Sequence, residues 1–293
     1  MISAVIVTYN RLSLLKECLL AVHNQTRKLD QVIVVNNGST DGTTEWLKSK
    51  TDIYIINQEN CGGAGGFNTG VKFAYENGAD WVWVMDDDVK AEKNCLEELL
   101  KYSHVSLCLH PARICSDGVD YIWGEFLDLK NYKKYVLSDF EVKNKDIYFV
   151  NVGCFEGMLI NSKIIAKIGF PDTRFFIAGD DTIYGYLANQ FTNVCCIKTA
   201  KMIRAKKSTD QFVSPMYFYY LYRNFHLYEE YNNKLTGEGF SRITKFKYVL
   251  TGIVVIAKLI IKPYTFINKI NVVKAILKAF FHSKLKMTNS TYN

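Results

Sequence analysis

The chain has 293 residues, 48% of them hydrophobic and 22% charged. That is enough apolar sequence for one substantial core with a smaller appendage, and it excludes a disordered protein. Eight cysteines (18, 61, 95, 108, 115, 154, 195, 196) are scattered without CxxC spacing, and "ISAVIVTYN" opens without a basic, apolar leader; the thiols are expected to be reduced and mostly buried in a cytoplasmic protein. The net charge of +7 is uneven: residues 239–293 hold ten Lys or Arg and no Asp or Glu, which leaves −3 for residues 1–238.

In chain order, "SAVIVTY", "QVIVVN", "IYIIN" and "WVWVMD" are short apolar runs of the kind that form strands buried on both faces. Between and after them, residues 12–25, 41–50, 64–78 and 92–103 carry helical periodicity. The alternation predicts a parallel sheet whose right-handed crossovers put the functional loops at the carboxyl ends of the strands. Polar residues cluster at those ends: Thr8, Tyr9, Asn10 and Arg11 after the first strand, Asn36 and Asn37 after the second, and Asp86, Asp87 and Asp88 after the fourth.

"NNGSTDGT" has the composition of a turn and helix start. "NCGGAGGFNTG" leads into a helical pattern, where backbone N–H groups can approach an anion. It is not a dinucleotide fingerprint, because GxGxxG would need glycine where Asn68 stands, and no GxxxxGK[ST] occurs. The three carboxylates repel one another unless a cation neutralises them. Asp86 and Asp88, two apart in an extended segment, point the same way, and Asp87 points elsewhere. Two oxygens on one side suit Mg²⁺ or Mn²⁺ carrying a diphosphate.

Residues 111–150 predict a hairpin, in which Trp123 either faces a ligand or pins the strands. "VNVGCFEGMLI" predicts a strand, "NSKIIAKIG" a short helix capped by Asn161, and "FPDTRFFIAGDDTIYGYLANQ" a loop that enters a helix at Asp180 and Asp181.

The ordered set "VIVTYNR", "VVNNGSTDGT", "NCGGAGGFNTG", "WVWVMDDDV", "GFPDTRFFIAGDDTIYGYL" and "YYLYRN" resembles the inverting glycosyltransferases of family 2, nearest to their bacterial galactofuranosyl- and rhamnosyltransferase branch, over roughly residues 2–230. The resemblance implies the GT-A fold, an α/β Rossmann-like mixed sheet flanked by helices. It implies a nucleotide-sugar donor, a divalent cation (Mn²⁺ or Mg²⁺) and inversion at the anomeric carbon. It places Thr8, Tyr9, Asn10 and Arg11 at the base and ribose, and Asn36 where its amide can pair with a uracil or thymine edge. Gly65, Gly66, Asn68 and Asp87 fall beside the donor, and Asp86 and Asp88 form the metal-binding pair. Asp181 is implied as catalytic base with Asp180 its neighbour, the strand around Phe155 and Glu156 as the acceptor side, and Arg223 and Asn224 as a family "RN" of unassigned role. Many relatives carry a metal-coordinating histidine where this chain has Arg204. A guanidinium cannot ligate a cation, and is expected on the diphosphate instead.

The remainder, 239–293, is expected to be a basic amphipathic helical tail beside a catalytic domain of residues 1–238. Its longest apolar stretch, Tyr248 to Ile261, is interrupted by Lys258 and is too short to span a bilayer. It suits an anionic membrane surface or, alternatively, a cap packed on the catalytic domain. The combined expectation is a peripheral enzyme on the cytoplasmic face of the cell membrane. It would add galactofuranose from UDP-galactofuranose, or rhamnose from dTDP-rhamnose, to a polyprenyl-linked or glycan acceptor for a capsule or O-antigen polysaccharide. No nucleic-acid partner is expected, and a homo-oligomer is compatible with this. A nucleotide-sugar-binding protein without catalysis is the alternative, and a nucleotidyltransferase is disfavoured by the absence of a Lys- and Arg-bearing glycine-rich first loop.

Overall fold

The computed structural model describes residues 1–121, 124–138, 141–142, 145–210, 214–261 and 266–282; Trp123 lies outside them. The expected alternation is present: β1 (Ile2–Thr8), α1 (Leu12–His23), β2 (Gln31–Asn36), α2 (Thr43–Leu47), β3 (Tyr54–Asn57), α3 (Gly62–Glu76), β4 (Trp81–Asp86), a short β5 (Val89–Ala91) and α4 (Cys95–Lys101). β1 pairs in parallel with β2 and β4, and β2 with β3. All seven residues of β1 are buried, and its period of two divides them between two layers. Ile2, Ala4 and Ile6 join Leu15, Cys18 and Leu19 of α1 in one core cluster. Val5 and Val7 face α3, which lies so close that a Cβ on Gly66 would meet Val7 Cγ1 at 2.5 Å.

The chain continues through β6 (Cys108–Ile114), β7 (Asp120–Tyr121), β8 (Glu125–Asp128), β9 (Lys133–Val136), β10 (Ile147–Val150), β11 (Met158–Asn161), α5 (Ser162–Ile168), a 3₁₀ turn at Thr173–Phe175, α6 (Asp180–Ala188) and β12 (Val194–Arg204). β8 and β9 form the expected hairpin. The main sheet runs β10-β12-β6-β11-β4-β1-β2-β3, with β5 on β12 and β7 on β6. It is mixed because β11 runs antiparallel to β4, Met158 opposite Val84. Asn161 caps α5 as its sequence predicts, accepting from the Lys163 amide at 3.0 Å.

One expected strand is shorter than its apolar pattern. Of "VNVGCFEGMLI" only the ends pair, Val150 closing β10 and Met158 opening β11, and residues 155–157 form a turn. Gly157, at φ +100°, takes a conformation that ends the extended run. Phe155 and Glu156 therefore lie in this turn and not on a strand.

The chain divides into two compact units, Met1–Phe126 with Tyr135–Phe176 and Asp180–Asp210, and Leu127–Lys134 with Ile177–Gly179 and Gln211–Asn293. The boundary expected between 238 and 239 falls inside the second unit. That unit holds α7 (Pro215–Arg223), α8 (Phe225–Thr236), α9 (Arg242–Ile261) and α10 (Phe266–His282). Phe225 stacks on Tyr248 with centroids 3.8 Å apart, and Tyr132 meets both edge-on. Val272, Ala275, Ile276 and Ala279 of α10 are buried. Asn224 is fully buried, its amide donating to the carbonyls of Ile177 (3.0 Å) and Ala178 (2.8 Å), so the "RN" asparagine holds backbone in place. Among the described residues no helix is long and apolar enough to cross a membrane.

Candidate active site

The site grows from the carboxyl end of β4. Asp86 closes the strand and Asp87 and Asp88 turn away from it. One carboxylate oxygen each from Asp86, Asp88 and Glu156 lie within 4.8 Å of one another. Asp87 points the other way, 3% exposed, and accepts from Thr8 Oγ1 at 2.7 Å and from Arg11 Nη1 at 3.1 Å. Arg11 Nη1 also lies 3.0 Å from Asp88. Thr8, Arg11 and Asp87 thus brace the ends of β1 and β4 together, with Thr8 and Asp87 both buried. Tyr9 and Arg11 remain nearly half exposed.

Burial, then the charges of Asp88, Glu156 and Asp87, push the Asp86 carboxyl well above the carboxylate range. An all-oxygen set this crowded fits a hard divalent cation, which would relieve that repulsion, so the donor chemistry suits Mg²⁺ or Mn²⁺.

Glu156 reaches Asp86 because β11 is antiparallel to β4, so the turn before β11 sits across from the end of β4; Gly157 N–H donates to the Val84 carbonyl at 3.0 Å. Glu156 Oε2 lies 2.9 Å from Arg204 Nε and 3.3 Å from Arg113 Nη1, and Oε1 accepts from Arg204 Nη2 at 2.9 Å. Burial acts to raise the Glu156 carboxyl, but Arg113 and Arg204 more than offset it and hold it below its usual range. Arg204 also stacks on Tyr121, 4.1 Å from the ring centroid. The arginine expected on a diphosphate thus holds Glu156 through Nε and Nη2. Lys206 Nζ stands 3.8 Å from Asp88.

The residues expected beside the base and donor are largely satisfied by the protein itself. Asn36 is 2% exposed; its amide donates to Thr44 Oγ1 (2.8 Å) and Asn57 Oδ1 (2.9 Å), and its oxygen accepts from the Ser39 amide. With both donors used, it does not present an edge to a nucleobase. Asn10 ties its loop to the next one, accepting from the Thr40 amide and donating to Ser39 Oγ. Asn68 donates to the Pro171 carbonyl at 2.8 Å. Gly65 and Gly66 serve packing, since a Cβ on Gly65 would meet Cys61 Sγ at 2.3 Å. At the start of α3 two amides have protein acceptors: Ala64 N–H donates to the Phe176 carbonyl and Gly62 N–H to Asn60 Oδ1.

Asp180 and Asp181 open α6, and Thr182 N–H donates to Asp181 Oδ1 at 2.6 Å. The turn bearing Glu156 runs alongside: a Cβ on Gly153 would lie 2.5 Å from the Asp181 carbonyl oxygen. Burial pushes the intervening Cys154 thiol up, Arg113 opposes, and Glu156 and Asp181 add to the rise. Sequence reasoning did not place Glu156, Arg113 and Lys206 at the cation pair. Only the pairing of β11 with β4 and of β12 with β5, Arg204 opposite Val89, brings Glu156, Arg204 and Lys206 there.

Galactofuranosyltransferase GlfT1 of Mycolicibacterium smegmatis is 31% identical over 188 residues, 61% of this chain and 62% of its own length, so the chain spans less than two thirds of that relative. GalNAc-T7, solved with UDP, GalNAc and Mn²⁺, superposes with a TM-score of 0.59 at 14% identity, covering 85% of this chain and 53% of its own. S. aureus TarS 1-349 in complex with UDP-GlcNAc gives 0.55 at 15% identity, covering 96% and 72%. At such identities the structures show the fold alone, which is GT-A. Residues 3–169, more than half of the sequence and the part that carries β1 to β4 with the aspartate triplet, match Glycosyl transferase family 2, and the chain belongs to that family.

Proposed function

We propose that the protein is an inverting, metal-dependent glycosyltransferase that moves galactofuranose from UDP-galactofuranose, or next in order rhamnose from dTDP-rhamnose, to a lipid-linked glycan in surface-polysaccharide synthesis. The observation that carries it is the convergence of Asp86, Asp88 and Glu156 beside the helix start that bears Asp181. The galactofuranose preference is supported by the name of the relative that shares 31% of its aligned residues.

In this reaction Asp181 accepts the proton of the acceptor hydroxyl as its oxygen bonds to C1 and the C1–diphosphate bond breaks on the opposite face, which inverts the centre. A divalent cation held by Asp86 and Asp88 would offset the charge that develops on the leaving diphosphate. Arg11, bridging Asp87 and Asp88 at the mouth of the site, keeps that pair aligned. A panel of nucleotide sugars with polyprenyl-linked acceptors tests the proposal. UDP-galactofuranose should be consumed only with both acceptor and Mn²⁺ or Mg²⁺ present. Binding of donors without turnover across the panel would favour the non-catalytic alternative.

The same proposal seats the second unit on the anionic cytoplasmic face of the membrane. In its support, α9 leaves Ile243, Phe246, Leu250, Ile253 and Val254 exposed, at helical spacing, in a stretch with no acidic residue. Phe246→Glu with Ile253→Glu is expected to weaken binding to phosphatidylserine vesicles about tenfold or more. Unchanged binding by the folded double variant would count against membrane seating.

A further inference from the structure

We infer that Glu156 is a third protein ligand of the cation at Asp86 and Asp88, with Arg113 and Arg204 as the positioning residues that aim it. The inference rests on the proposed cation site and adds a ligand from the turn before β11. A single ion with metal–oxygen bonds of about 2.0–2.1 Å holds opposed oxygens roughly 4.2 Å apart. The three carboxylate oxygens lie within 4.8 Å of one another, so a modest contraction lets one ion reach all three.

The guanidinium contacts on Glu156 do not block ligation. Each carboxylate oxygen has more than one acceptor site, so an oxygen that accepts from Arg204 or Arg113 can still face an ion. Those arginines are permanently charged, and Arg204 is held from its other side by the Tyr121 ring. They orient Glu156 much as a carboxylate orients a metal-bound histidine from behind. Charge balance points the same way. Asp87, Asp88 and Glu156 pair with Arg11, Arg113, Arg204 and Lys206, so the carboxylates crowded around Asp86 have cationic partners and Asp86 is left to face the ion. An arginine at 204 then has a reason: a third anionic ligand requires a compensating cation that a neutral ligand would not.

The test is Mn²⁺ binding in the presence of UDP, followed by electron paramagnetic resonance on the full chain. Glu156→Gln should lower Mn²⁺ affinity at least tenfold, with UDP affinity in the absence of metal unchanged. Glu156→His should bind Mn²⁺ and show ¹⁴N modulation in the spin-echo envelope that the wild type lacks, because the imidazole nitrogen enters the coordination sphere. Arg204→Met should weaken Mn²⁺ binding about 10–100-fold, as expected for a group behind a ligand, and Arg204→Lys should recover much of it. The Arg204 pair decides the matter if neither variant at 156 folds: equal Mn²⁺ affinity in both overturns the inference. Wild-type Mn²⁺ affinity in Glu156→Gln, or Mn²⁺ bound to Glu156→His without nitrogen coupling, also overturns it and leaves the Asp86 and Asp88 site standing. A wild type that does not bind Mn²⁺ with UDP removes the cation site and the inference together.

Discussion

Asp181→Asn is expected to cut turnover about 10²–10⁴-fold, the usual contribution of a positioned general base, while UDP affinity changes little. The amide keeps the shape of the carboxylate and can still accept from the Thr182 amide, so the loss measures proton acceptance and not collapse of the helix start. Asp180→Asn is the informative companion. Burial and then the charge of Asp181 push the Asp180 carboxyl up to about 8, so at pH 7 it is mostly neutral and asparagine imitates its working form. Its turnover should stay within a few-fold of wild type. The raised value also sets a sign for stability. Between the unfolded value of about 3.9 and about 8 the folded chain retains a proton that the unfolded chain has released, so stability falls as pH rises through that window. Asp180→Asn removes this slope, and thermal melts should show the variant gaining on wild type at pH 8 but not at pH 4. An inactive Asp180→Asn beside an active Asp181→Asn would move the base to Asp180. Full activity in both would end the proposed mechanism.

Asp88→Asn is expected to abolish most of the Mn²⁺- or Mg²⁺-dependent turnover with a thermal transition near that of wild type. It loses part of its pairing with Arg11 and Lys206, but it also relieves repulsion among crowded carboxylates. Asp87→Asn should do the reverse. Its side chain is buried and carries the charge-assisted bonds to Thr8 and Arg11. Hydrogen bonds to a charged group contribute about 1.5–3 kcal/mol each, so the transition should drop by several degrees. An active Asp88→Asn together with an inactive, fully stable Asp87→Asn would reassign the cation to Asp87.

What the sequence determined by itself is local. Runs such as Val32–Val35 and Val82–Met85 are apolar on both faces, so they specify buried parallel strands before any partner is known, and Asn161 specifies its own helix cap because the bond it makes is two residues away. The direction of Asp86 and Asp88 follows equally from the strand period of two. What only the tertiary structure decided are contacts across large sequence separations. Glu156 meets Asp86 because β11 happens to run against β4, and Arg204 meets Glu156 through β12, neither of which leaves a periodic trace. Asn36, Asn68, Gly65 and Gly66 match motif positions, yet burial gives them protein partners, since a polar atom removed from water must find one and a helix packed on β1 leaves no room for a side chain. The basic tail divides on the same ground. α10 buries Val272, Ala275, Ile276 and Ala279, whereas the equally apolar α9 keeps Phe246 and Ile253 in solvent. Amphipathic spacing defines a face, and only packing decides whether another part of the chain covers it.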